Sequence, residues 1–116
     1  MRILVASNST SKRTDYFIKA GRSLGADTCF VTYDELSAVL PDCRDTVVKL
    51  EPPVFREADF RKYNLLCEEY RSLLSRLADT DKSESVHFLN EPAAILCALD
   101  KVYTQRKLTV AGLQTT

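Results

Sequence analysis

Four short apolar runs, separated by segments of helical periodicity, set the pattern of this chain. Arg2-Ile3-Leu4-Val5-Ala6 is apolar after its first residue, as suits a strand buried on both faces of a parallel sheet. Ser7-Asn8-Ser9-Thr10-Ser11 follows, all small and polar, and Thr14 or a neighbour is placed to cap a helix. Phe17, Ala20, Gly21 and Leu24 mark one face of that helix, and Gly25 ends it. Thr28-Cys29-Phe30-Val31-Thr32-Tyr33 is β-branched and aromatic, a second strand. This strand–helix–strand unit predicts a right-handed crossover.

Asp34 to Leu40 reads as a short helix, Pro41-Asp42 as a turn and Thr46-Val47-Val48-Lys49-Leu50 as a third strand. Glu51-Pro52-Pro53 ends that strand, because proline has no donor for a central ladder. Phe60, Tyr63, Cys67, Tyr70, Leu74 and Leu77 then fall alternately three and four apart, joined by Leu66 and Leu73. The stripe predicts a long helix packed on the sheet; the sharper alternative makes part of it a partner surface. After a polar loop from Asp79 to Ser85, Val86-His87-Phe88-Leu89 forms a fourth strand that delivers Asn90 at its carboxyl end. Glu91 precedes a proline and is pushed out of the helical region, so Pro92 opens the last helix. Ile95, Leu99 and Val102 give that helix its stripe, with Leu96 and Tyr103 beside them, and Gly112 is its left-handed stop.

Strands alternating with helices predict an α/β layered domain with a four-stranded, mostly parallel sheet in the order 3-2-1-4. Ligands of such sheets bind beyond the carboxyl ends of the strands. Three segments converge there: Ser7 to Ser11, Glu51-Pro52-Pro53, and Asn90-Glu91-Pro92. The candidate substrate-binding residues are therefore Ser7, Asn8, Ser9, Glu51, Pro52 and Asn90. Backbone amides after the first strand suit a carboxylate or another anion, with Lys12 and Arg13 just behind. The Asn90 side chain can both donate and accept, and Pro52, Pro53 and Pro92 restrict the backbone around the site. The bland alternative is that these residues only cap and turn.

Composition narrows the chemistry. The 116 residues suit one domain, and 45% hydrophobic content is enough for a core. A formal net charge of +0 leaves no global field for nucleic acid or anionic lipid. Cys29, Cys43, Cys67 and Cys97 are too scattered for a metal knuckle or redox motif and read as free thiols in a reducing compartment. The apolar run after Met1-Arg2 is too short for a signal peptide and nothing reaches membrane-spanning length, so a cytoplasmic location is expected. Neither a dinucleotide fingerprint nor a Walker loop is present. His87, the single histidine, reads as a strand residue rather than a general base, which leaves no Ser/His/Asp or Cys/His set. Asp79 and Asp81 read as solvated loop residues rather than metal ligands. Ser7-Asn8 and Glu51-Pro52 stand where a receiver domain would need its acidic residues. No catalytic residue and no metal ligand is assigned.

The C-terminal segment resembles the junction between the N-terminal domain and the nucleotide-binding domains of ATP-grasp ligases. Such proteins show Asn-x-Pro after a strand, then Asp-Lys or Glu-Lys in a helix, then a hydrophobic-Gly-hydrophobic stop. Here these are Asn90-Glu91-Pro92, Asp100-Lys101 and Ala111-Gly112-Leu113. Upstream, Lys49-Leu50-Glu51-Pro52-Pro53-Val54-Phe55 resembles the Arg-Lys-Asp-Pro-Pro-Phe segment of the bacterial glutathione synthetase group. Gln114 stands where the family usually has proline, and Lys49 where that group has arginine.

The resemblance implies a Rossmann-like, three-layer pre-ATP-grasp domain over residues 1–112, with 113–116 starting a linker to a nucleotide-binding domain outside this chain. It implies an ADP-forming ligase that phosphorylates a carboxylate and passes the acyl group to an amine or thiol. ATP and Mg2+ then belong to the full-length protein, with neither held tightly by this chain. Lys101 is the one residue carried over for ATP, as a compact cation beside phosphate oxygens. The implied partners are small carboxylate and amine substrates and the C-terminal ATP-grasp domains, with no nucleic acid and no membrane; a homodimer is compatible with the reading. The alternative expectation is a complete small α/β binding or adaptor module without catalysis.

Overall fold

A computed structural model describes residues 1–56, 59–79, 86–99 and 112. The chain runs β1 (Arg2–Ser7), α1 (Lys12–Ser23), β2 (Asp27–Thr32), α2 (Tyr33–Val39), a 3₁₀ turn (Leu40–Asp42), β3 (Thr46–Leu50), α3 (Phe60–Asp79), β4 (Val86–Phe88) and α4 (Pro92–Leu99). All three strand pairings are parallel, and the sheet order is β2-β1-β3-β4. The α/β class and the four-stranded parallel sheet agree with the sequence and are compatible with a Rossmann-like fold.

The expected order 3-2-1-4 is corrected to 2-1-3-4: the third strand joins β1 directly instead of lying outside β2. Burial gives the reason. Leu4, Val5 and Ala6 are fully shielded, which makes β1 central in either order, and Thr46, Val48 and Leu50 are buried as well, so β3 takes the second inner place. Asp27 at the start of β2 is exposed, and Cys29 and Phe30 are only half-buried, which suits an edge.

The period-2 alternation divides the two faces. Leu4, Ala6, Val31, Val48, Leu50 and Val86 join Leu36 of α2 and Leu73, Leu74 and Leu77 of α3 in one core. Ile95 and Leu96 of α4 pack against its margin, while Leu99 is exposed. On the other face Val5 lies on the α1 side, where Thr14 and Gly21 are the buried helix positions. The expected α1 stripe is thus rotated: Phe17 stays half-buried, but Ala20 and Leu24 are exposed. The helix approaches β2 so closely at Gly21 that a Cβ there would meet Thr28 Oγ1. Gly25, at φ +85°, occupies the left-handed region its place as a helix stop requires, and Gly112 has φ +84°.

Only the second half of α3 is packed. Tyr70, Leu73, Leu74 and Leu77 are buried, whereas Phe60 is 84% and Tyr63 46% exposed. The expectation that the whole stripe packs on the sheet is corrected for its first two turns, which extend past the strand ends. Pro92 opens α4, with Ile95 N–H donating to the Glu91 carbonyl at 3.0 Å. Asp81, Val102 and Tyr103 lie outside the described residues. Among the described residues, no helix is long and apolar enough to cross a membrane.

Candidate functional site

In the order 2-1-3-4 the connections leave β1 and β3 in opposite directions, which opens a crevice beyond their carboxyl ends, the place where open parallel sheets bind ligands. Its walls are the β1–α1 loop and the segment that follows β3. The Glu51 N–H extends the ladder to the Ala6 carbonyl at 2.8 Å. Pro52 and Pro53 then bring no N–H, so the backbone ladder cannot continue.

A side chain takes over. Asn8 Nδ2 donates to the Val54 carbonyl at 2.9 Å, and Asn8 Oδ1 accepts the Val54 N–H at 2.7 Å. The amide thus pairs with Val54 as a neighbouring strand would. Ser7 Oγ, fully buried, lies 3.2 Å from both the Pro52 carbonyl oxygen and Asn8 Oδ1. Arg56 Nη2 donates to the Thr10 carbonyl at 2.7 Å, tying the far end of the segment to the same loop. Ser9 Oγ donates to the Thr10 carbonyl at 3.3 Å. Ser11, rather than Thr14, is the N-cap of α1, with Thr14 closing a reciprocal capping box.

Glu51 is the buried charge of the site, its side chain only 6% exposed. Lys49 Nζ approaches Oε1 at 2.7 Å, and Arg13 Nη1 approaches Oε2 at 3.8 Å. The lysine arrives off the angle a hydrogen bond needs, so Oε1 is paired in charge but has no hydrogen-bond donor. Lys49 also sits 5.2 Å above the Phe17 ring of α1. Tyr33 Oη donates to the Glu51 carbonyl at 2.6 Å, and its ring stacks on Tyr70 at 5.5 Å between centroids. Burial pushes the Tyr33 hydroxyl far above the usual tyrosine range; a hydrogen bond with Ser7 pulls it back only partly, and the Tyr70 and Glu51 charges push it further. Tyr70 is raised as well, by burial first and then by Glu51.

Ser7, Asn8, Glu51 and Pro52 are therefore brought together, and Ser9 borders them. Asn90 is on the same edge but apart: β4 is two strand positions from β1, roughly 10 Å of sheet. One small group cannot be shared by Asn90 and the Ser7 loop; a ligand spanning the edge can reach both. Asn90 is exposed and Pro92 buried, and the Leu89 N–H holds the strand end to the Val48 carbonyl at 3.0 Å. Lys101 lies outside the described residues. His87 is exposed on β4.

Sequence reasoning missed Tyr33, which it placed in a strand, and the roles of Arg13, Lys49 and Arg56. The Lys49–Glu51 pair had a readable signal: opposite charges two apart on a strand share a face. Among the described residues, no group of His, Cys, Asp or Glu is arranged to hold a metal. No family model matches the chain, and no curated protein or solved structure is significantly similar to it.

Proposed function

We propose that this chain is the N-terminal substrate-binding domain of an ATP-grasp ligase, which activates a carboxylate as an acyl phosphate and passes it to an amine or thiol. One observation carries the reading. The segment that resembles the glutathione synthetase group, Lys49 to Phe55, is the one Asn8 holds across the ligand edge of the parallel sheet through Val54.

On this reading the work of the chain is to hold and orient a substrate. Ser7, Asn8 and the Glu51-Pro52 segment form a preformed wall, and the prolines lower the cost of ordering it. The described residues offer no converging acidic set for Mg2+, and Lys101 lies outside them. The resemblance assigns ATP and Mg2+ to the domains that would follow. A cytoplasmic location is part of the same proposal.

The exposed first half of α3 favours a second reading, a small binding or adaptor module using Phe60 and Leu65. The experiment that separates the two starts from the gene downstream of Thr116. If it encodes further domains, the longer protein is assayed for ADP release with carboxylate and amine mixtures, with and without Asn8→Ala. ADP release that falls at least about tenfold in kcat/KM with the substitution supports the ligase reading. An open reading frame that ends at Thr116, or a longer protein with no ADP release, overturns it.

A further inference from the structure

Among the described residues, β2 pairs only with β1 and leaves its other side open. The Asp27 N–H donates to the Met1 carbonyl at 3.2 Å, so Asp27, Cys29 and Val31 turn their backbone groups towards β1. Thr28 and Phe30 therefore turn theirs outward. Natural edges are blunted by shortness, charge, proline or a bulge. The opposite edge, β4, has three residues, whereas β2 has six, and its one charge, Asp27, is drawn to Arg2 at 3.4 Å. Arg22 Nε donates to the Thr28 carbonyl at 3.0 Å, which leaves that oxygen a second lone pair and leaves the Phe30 N–H and carbonyl open.

On one face of the sheet, α1 continues this edge. A shallow groove of about 640 Å³ runs between them, with Ile18 and Phe30 as its apolar part and Asp15, Lys19 and Arg22 along the helix. Asp15 and Arg22 are two helical turns apart, so they share one side of α1, with Ile18 and Lys19 midway. Asp15 makes no ion pair with another described residue. Arg22 keeps its Nη donors beyond the one N–H given to Thr28. Such a row is its own complement: turned end for end, it sets Asp15 against Arg22 and Arg22 against Asp15.

We infer that the chain forms a two-fold dimer of itself through β2, an antiparallel edge pairing centred on Cys29 that joins the two sheets and lays α1 against α1. The spacings agree. Paired strands lie about 4.8 Å apart. Because α1 packs over β1 and β2, a two-fold axis beside β2 sets the two copies of α1 roughly 10 Å apart, a helix-packing distance. The registers agree as well. Gly21 lies over Thr28. The midpoint between Asp15 and Arg22 is about 4 Å farther along the strand direction, or one strand residue on, at Cys29. Pairing about Cys29 puts Thr28 opposite Phe30 of the second copy and gives each outward N–H a carbonyl. A foreign strand would satisfy those backbone groups but not the charge row, whereas a second copy satisfies both. The inference does not depend on the ligase reading.

Sedimentation equilibrium of the 116-residue chain is expected to show a dimer of the 13.1 kDa protomer. Asp15→Arg sets like charges together twice across the axis, and Arg22→Glu does the same with the opposite sign. Each variant alone is expected to dimerise at least about tenfold more weakly. Mixed, the two restore opposite charges at both places and are expected to associate as the parent does, a rescue that no loss of folding could give. Both positions are exposed, and circular dichroism checks each variant's fold. Cys29 supplies a second measurement. Facing residues at a non-hydrogen-bonded position of an antiparallel pair have Cα atoms about 4.5 Å apart, within disulfide reach. Two equivalents of Cu(II)–phenanthroline take one electron from each of the two thiols, their protons leave to solvent, and an S–S bond links the chains. The linked dimer is expected to persist in the Cys67→Ser, Cys97→Ser double variant and to vanish in Cys29→Ser. A monomer at concentrations up to about 1 mM, a dimer that the charge variants leave unchanged or that mixing fails to restore, or a cross-link that does not depend on Cys29 overturns the proposal.

Discussion

Asn8 pairs with the backbone of Val54 through both ends of its side-chain amide, at 2.9 and 2.7 Å. The pairing stands in for the ladder rungs that Pro52 and Pro53 cannot supply. Asn8→Ala leaves a part-buried N–H and C=O without these partners and is expected to cost about 1–3 kcal/mol. Asn8→Asp keeps the acceptor for the Val54 N–H but sets a carboxylate against the Val54 carbonyl. It is expected to be at least as destabilising at neutral pH. Urea denaturation of the two variants checks both, and a loss below about 0.5 kcal/mol for Asn8→Ala would show that the segment after β3 is held by other contacts.

A different kind of constraint acts at Gly21, where a Cβ would run into Thr28 Oγ1. Gly21→Ala is expected to lower stability by about 1–3 kcal/mol through overpacking, despite the better helix propensity of alanine. Thr28→Ala in the same chain removes the clashing hydroxyl and should return part of the loss. Thermal denaturation of the single and double variants tests the coupling.

Tyr33 and Tyr70 predict an alkaline limit. Burial raises both hydroxyls above the ordinary tyrosine value of about 10. Above that value the unfolded chain releases protons that the folded chain keeps, so the stability contribution is complete below about pH 10 and is lost as pH rises from there towards the folded values. Each buried hydroxyl steepens the fall by up to about 1.4 kcal/mol per pH unit. Stability measured from pH 8 to 11.5 should therefore drop beyond about pH 10, and Tyr70→Phe should make the drop shallower. An unchanged slope in that variant would count against the burial account.

The α3 stripe shows what a sequence can and cannot disclose. Its three-and-four spacing from Phe60 to Leu77 announced a long helix, which runs to Asp79, a residue read from the sequence as the start of the loop. Periodicity defines a face but not what covers it, and β1 and β3 end before the first two turns of α3. Leu74 is fully buried and Phe60 84% exposed, though both belong to the apolar stripe. Leu74→Ala is expected to cost about 2–5 kcal/mol, and Phe60→Ala less than about 0.5 kcal/mol. The candidate site was legible for a related reason. Strand ends, prolines and small polar loops are local signals, so Ser7, Asn8, Glu51 and Pro52 could be grouped from the alternating pattern. The strand order and the role of Tyr33 depend on which strand takes the centre, and no local signal carries that.

The Lys49–Glu51 pair gives the sharpest test of what the buried charge contributes. Glu51 is nearly sealed, its Oε1 receives no hydrogen bond, and Lys49 Nζ stands 2.7 Å away with its side chain 24% exposed. Arg13 is more distant and mostly solvated, so its share is small. Removing the carboxylate alone, as in Glu51→Leu, leaves the ammonium half-shielded against Phe17 without its counter-charge, and a loss of about 2–4 kcal/mol is expected. Replacing both partners, Glu51→Leu with Lys49→Met, removes the unsatisfied oxygen and the stranded cation together. The double variant should recover most of that loss and fold nearly as well as the parent. If the fold needs the ion pair itself, the double variant will be as unstable as Glu51→Leu in urea. If the pair is kept for a ligand instead, the double variant will fold normally, and any ADP release found under the proposed ligase reading will be lost with it.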